Sequence, residues 1–312
     1  MATEDMAQQI SISWVFGDNT SGDDPLLKEM AAQGQTIFAA AGDWGSYPAI
    51  YPAFPAEDAN VAAVGGTSLT TNGTGVPWAS ETAWSDSGGG PSPDGIPIPP
   101  YQSGLNGVNG ASTTLRNAPD VAAEADYDNW ACYSGPGVSA VCEGGWAGTS
   151  FAAPRWAGFL ALANQQATAA GNGQGFGLID ESIYPIAEGS GYLNDFHDIV
   201  SGSNGGYSAG SGYDLVTGWG SPNGQNLINA LTELPPPTTY SPTSVSCIAV
   251  SGKGSYVTNP TGPETQNGAS AELRTIIQTV RGTLLDAQCT WSGFPAVITT
   301  SPMTLSIPIG NL

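Results

Sequence analysis

Ser150 is the residue best placed for nucleophilic chemistry, within Gly148-Thr149-Ser150-Phe151-Ala152-Ala153-Pro154. A glycine turn enters a stretch whose apolar residues continue through Leu160 and Leu162, which predicts a helix beginning near Ser150. The positive end of that helix would steady nearby negative charge and leave the hydroxyl free to react. A serine in this position is ordinarily an N-cap. The longer string, with Ala153 and Pro154 just inside the helix, favours the nucleophile. A second candidate is Asp43, in Ala41-Gly42-Asp43-Trp44-Gly45, just past the end of an apolar run. The only histidine, His197, lies downstream of Ser150. A Ser-His-Asp triad whose histidine precedes the serine finds no candidate in this sequence.

Strands ending near these residues must position them. QISISWVF at 9–16 reads as a strand, and a helix starts at Asp23, Asp24 and Pro25 and ends at Gly34. TIFAAA at 36–41, NVAAVGG at 60–66 and DVAAEA at 120–125 are further apolar runs. The expected fold is α/β, a parallel sheet with helices on both faces. Ligands gather at the carboxyl ends of such strands, where Asp43 stands. Residues 67–118 are rich in Gly, Ser, Pro and Thr and read as long surface loops.

The chain has 312 residues, with six Lys and Arg against 27 Asp and Glu, a net charge of −21. Six cations cannot build a nucleic-acid footprint, and anionic membranes repel the chain. No apolar run is long enough to span a bilayer. With so few cations, protonating the acids produces little self-repulsion, a composition suited to acid. Residues 1–234 form the expected first domain, 235–242 a proline-rich linker and 243–312 an accessory module. That module has strand-like runs, such as VSCIAVS. Around Leu273, Ile276, Ile277 and Val280 the spacing suits helix or strand. Cys132 and Cys142 flank YSGPGVSAV as a small disulfide loop, and Cys247 with Cys289 is a second candidate pair. Disulfides point weakly to an oxidising compartment.

GTSFAAP resembles the serine motif of the subtilase superfamily. The run Ser11-Ile12-Ser13-Trp14, then Gly42-Asp43-Trp44-Gly45, narrows the resemblance to the sedolisins, the serine-carboxyl peptidases. VGGTSL at 64–69, ETAWSDSGGGPS at 81–92 and PDVAAEAD at 119–126 extend it over roughly residues 7–232. The resemblance implies a secreted peptidase acting in acid on peptides or unfolded proteins, as a monomer. Ser150 is then the nucleophile and Asp43 the oxyanion-hole side chain, which must be protonated to donate a hydrogen bond. It also implies a Glu-x-x-x-Asp pair upstream of the first strand, general base and its partner. Glu4 and Asp5 are adjacent and do not match. The expectation is a catalytic domain truncated at its N-terminus and inactive by itself, with Glu81 structural.

Residues 194–224 resemble the sedolisin calcium site. The resemblance assigns Ca²⁺ to the carboxylates of Asp198 and Asp214 and the carbonyls of Ile199, Gly210 and Gly212, and leaves His197 structural. Two other functions compete: a calcium-stabilised, non-catalytic peptide-binding or surface protein, and a subtilisin-type hydrolase. The missing upstream histidine disfavours the second.

Overall fold

The computed structural model describes residues 6–16, 22–48, 53–73, 77–171 and 175–233, and the backbone of eight strands between 238 and 308. Two compact units divide the chain, Met1–Leu234 and Pro235–Leu312. In the first, the main sheet contains β1 (Gln9–Ile12), β2 (Thr36–Ala40), β3 (Ala62–Thr71), β4 (Trp78–Ala83) and β7 (Val121–Glu124). Strands β1, β2, β3 and β7 run parallel, and β4 pairs antiparallel with the far half of β3. Short pairs β5 (Gly90–Pro91) with β6 (Asn117–Ala118), and β10 (Phe196–His197) with β11 (Ser221–Pro222), lie outside the main sheet. A long hairpin joins β8 (Asn129–Gly135) to β9 (Val138–Trp146). The helices are α1 (Asp24–Ala32), α2 (Thr149–Ala169), α3 (Asp180–Ala187), α4 (Tyr192–Asp195) and α5 (Gly224–Glu233).

The expected α/β architecture is the one observed, and the apolar runs show why. Successive strand residues point to opposite faces. Phe38, Ala62 and Val64 join Ala152, Ala153, Trp156 and Leu160 of α2 in one core. Their neighbours Ile37, Ala39, Val61 and Ala63 join Leu27 and Met30 of α1, with Phe54, in another. Both faces are covered, so alternation along the strands is apolar on apolar. Trp156 anchors α2 to the sheet by donating its indole N–H to the Ala122 carbonyl at 2.8 Å.

Residues 67–118 depart from the surface-loop reading. They contain β4, β5, β6 and 3-10 turns at Pro100–Leu105 and Val108–Gly110, and Ser87, Ser92, Gln102, Arg116 and Asn117 are buried. Polar composition suggested exposure, but the polar groups bond to one another inside the unit. Asn117 N–H donates to the Gln102 side-chain oxygen at 2.8 Å, and Arg116 pairs with Asp120 at 2.5 Å.

Glu57, also buried, accepts from the Ser92 hydroxyl. Burial, and then the nearby Asp94, raises its pKa to about 7. An acid whose folded-state pKa is raised destabilises the fold as pH climbs, because the unfolded chain ionises first. The contribution is fully retained below the ordinary carboxylate range and lost as pH rises through about 7. Urea denaturation should therefore give a higher midpoint in acid than at neutral pH, with Glu57→Gln flattening that slope. An unchanged slope in the variant would show that Glu57 does not titrate across this window.

In the second unit the stretch around Ile276 and Val280 is strand, β17 (Thr275–Arg281), antiparallel to β14 (Ser255–Pro260). β18 (Leu284–Ser292) lies between β13 (Ser244–Gly252) and β19 (Met303–Pro308), with Cys247 opposite Cys289 in the register. β12 (Thr238–Tyr240), within the stretch read as linker, pairs with β15 (Glu264–Asn267), which also pairs β16 (Ser270–Glu272). The prolines at 235–237, and Glu4 and Asp5, lie outside the described residues.

Candidate active site

Four segments meet around Ser150. Helix α2 begins at Thr149 after Gly148, whose φ of +134° suits glycine. A Cβ at 148 would sit 2.9 Å from Asp43 Oδ2. Gly148 N–H donates to the Ala125 carbonyl at 2.7 Å, docking the turn before Ser150 on the end of β7. The turn after β2 supplies Asp43. Its Oδ1 accepts from Thr149 N–H at 2.6 Å and from the Thr149 hydroxyl at 2.8 Å, while Gly42 N–H donates to that hydroxyl oxygen at 3.0 Å. Asp43 thus caps α2 from another segment, one residue before Ser150.

Pro154 explains the fourth segment. Helical N–H groups donate four residues back, and proline has none to give to the Ser150 carbonyl. Ser13 Oγ donates to that carbonyl instead, at 3.4 Å, tying the end of β1 to the site. The sequence carried a signal for this contact, a proline four residues after the nucleophile, although Ser13 was read only as part of a motif. Thr149 as the bridge to Asp43, and Ala125 as acceptor, had no such signal.

Ser150 is half-buried, and among the described residues no carboxylate is hydrogen-bonded to its hydroxyl. Glu81 is occupied elsewhere: it accepts from Thr67 Oγ1 and Ser221 Oγ, each at 2.5 Å, and from Trp78 Nε1 at 2.8 Å. His197 stacks on Trp78 with ring centroids 4.2 Å apart, and burial lowers its pKa. Next to the nucleophile turn, Ser68, Leu69, Asp126, Tyr127 and Asp128 line an open cavity of about 260 Å³.

The acidic loop lies elsewhere on the first unit. Gly212 N–H donates to Asp198 Oδ1 at 3.1 Å and Gly210 N–H to Asp214 Oδ2 at 3.0 Å, so one glycine turn embraces both carboxylates. Asn109 fastens the turn, its Nδ2 donating to the carbonyls of Ser211 and Tyr213 at 2.9 Å each. Ile199 and Asp214 are buried, and burial raises the Asp214 pKa to about 6. The three cations of this unit are engaged elsewhere: Lys28 with Asp24, Arg116 with Asp120, and Arg155 with Glu124 and Asn129. No group of three or more His, Cys, Asp or Glu clusters among the described residues. A hard cation would fit the two carboxylates and offset their charge, but its remaining ligands would have to be carbonyls or water.

A model of the Subtilase family matches residues 1–179. Sedolisin of Pseudomonas sp. (strain 101) is 32% identical over 241 residues, covering 68% of this chain and 38% of the relative. Kumamolisin of Bacillus sp. (strain MN-32) is 33% identical over 225 residues, 65% of this chain and 37% of the relative. A Pseudomonas sedolisin structure, complexed with two molecules of pseudo-iodotyrostatin, superposes with a TM-score of 0.59 at 27% identity. That match covers 75% of this chain and 67% of the solved one. The chain belongs to the subtilase family, on its sedolisin branch. It spans a little over a third of the length of these curated relatives.

Proposed function

We propose that the protein is a serine-type peptidase that cleaves peptides or unfolded proteins in acid through Ser150. The docking of Asp43 on the start of α2, one residue from Ser150, carries this reading. Ser150 Oγ attacks the scissile carbonyl, its proton passes to a base and from there to the peptide nitrogen, and the amine leaves from the tetrahedral intermediate as its C–N bond breaks, giving an acyl-enzyme. In its protonated form Asp43 donates from Oδ2 to the developing oxyanion while Oδ1 stays bonded to Thr149. A disulfide between Cys132 and Cys142 supports an extracellular setting.

No base reaches Ser150 among the described residues, and a serine hydroxyl is a poor nucleophile without one. General-base help contributes typically ~10²–10⁴-fold. The 312 residues alone should accordingly give little or no hydrolysis of a denatured protein at any pH from acidic to neutral. Robust turnover that vanishes in Ser150→Ala would keep the nucleophile and require a base among these residues.

Calcium belongs to the same reading, held by Asp198 and Asp214 with carbonyls of Ile199, Gly210 and Gly212. Its role would be to neutralise the two carboxylates, of which Asp214 is buried, and to fasten the loop. A ligand that binds only the folded state stabilises by about 2.7 kcal/mol at roughly a hundred times its Kd. Calcium should raise the melting temperature, and Asp214→Ala should remove most of the gain. A melting temperature indifferent to calcium and chelator would dismiss the site.

A further inference from the structure

We infer that the hairpin β8–β9 is a substrate-binding arm, and that the exposed face of Trp130 stacks an aromatic side chain of an extended polypeptide. The inference rests on the peptidase reading above and adds a substrate preference to it.

The arm stands on the nucleophile turn. The 2.7 Å bond from Gly148 N–H to the Ala125 carbonyl closes the segment that contains the hairpin. Asn129, opposite Trp146 at the base of the arm, is buried. Its Oδ1 accepts from Arg155 Nη2 at 2.6 Å, and its Nδ2 donates to the Asp126 carbonyl at 2.6 Å. Arg155 also donates to the Glu124 carbonyl, so the helix that carries Ser150 clamps the base of the hairpin. Farther out, the Cys132–Cys142 disulfide joins directly opposed residues.

Scattered surface aromatics are ordinary, but Trp130 is built in. It pairs with Gly144, and a Cβ there would lie 2.8 Å from Trp130 Cε2. Glycine therefore lets the indole rest against the backbone of β9, while 74% of the residue remains exposed. Gly145, with φ +84°, accompanies the register shift that brings Gly144 beneath the ring. Tyr133 and Trp146, 47% and 44% exposed, continue the aromatic character of the arm.

Gly144 lies six positions before Ser150, so the platform lies within about 22 Å of Ser150, at roughly 3.3–3.6 Å per extended residue. A bound polypeptide can span that distance from its scissile bond. Stacked aromatic pairs prefer this kind of open face. The nearest charged side chain on the arm is Glu143, which disfavours an acidic ligand. Continuity with the nucleophile turn selects a polypeptide over a sugar.

The test uses the whole chain carrying Ser150→Ala, which prevents turnover. Calorimetry compares an unstructured Gly/Ser peptide containing two Phe with the same peptide lacking them. The Phe peptide should bind roughly two- to twelvefold more tightly, the range expected for one aromatic pair. Trp130→Ala should abolish that preference while leaving the Phe-free peptide unaffected. Gly144→Ala, which lifts the indole from its bed, should weaken the preference in the same direction. Equal affinity for both peptides would overturn the arm but leave the peptidase reading standing. Binding to neither peptide would count against both, and preferential binding of an oligosaccharide would overturn the polypeptide assignment.

Discussion

Asp120→Ala should cost about 3–5 kcal/mol, a large part of the ~5–15 kcal/mol that holds a typical domain together. Asp120 and Arg116 are both fully buried, and their contact is 2.5 Å. Asp120 also accepts from Ala63 N–H at 2.7 Å and from the Tyr184 hydroxyl at 2.8 Å, joining the sheet to α3. Alanine would strand a buried guanidinium and leave these donors without their acceptor. Arg116 keeps carbonyl partners, among them Val61 O at 3.1 Å, and the face of the Tyr101 ring, but no carboxylate. Asp180 offers no ready replacement, since burial, the largest cause, favours its protonated form. Asp24→Ala is the internal comparison, because it breaks the exposed Lys28 pair on α1. Such surface pairs contribute ~0–1 kcal/mol. Urea unfolding of both variants decides the matter, and equal midpoints would mean that the buried pair does not hold this unit.

The second large effect is on chemistry. Asp43→Ala should slow acylation of Ser150 by about 10²–10³-fold, the usual cost of losing an oxyanion donor. It also removes a cap from α2, at about 1 kcal/mol, so a folding control is needed. Asp43→Asn separates the two roles. Its amide oxygen can still accept from Thr149, and its N–H can donate without needing acid. The Asn variant should therefore lose less rate than the Ala variant. Asn and Ala variants of equal rate would remove Asp43 from the oxyanion role.

Much of this was legible before any coordinates. TIFAA and AAV are continuous apolar runs because both sheet faces are covered, and that pattern announces a parallel sheet. GTSFAAP marked the start of α2, and Gly42-Asp43 marked the strand end that docks on it. What stayed hidden was polar burial. Arg116, Gln102 and Asn117 sit in a Gly/Ser/Pro-rich stretch whose composition looks solvated, and only tertiary partners make them core residues. Strand or helix around Ile276 was undecided because four apolar residues suit both periods, and pairing with β14 decides it. The Trp130 platform was equally silent, since it depends on a register that places Gly144 opposite.

The most direct test of the site is covalent. Incubated in acid with an activated peptide ester, whose leaving group needs little help, the purified chain should become acylated. With no base at Ser150 among the described residues to activate water, it should keep the acyl group. Mass spectrometry of the digested protein should place that group on Ser150, with none at that peptide in Ser150→Ala and slower appearance in Asp43→Ala. Labelling at another residue, or unchanged labelling in Ser150→Ala, would contradict Ser150 as the nucleophile.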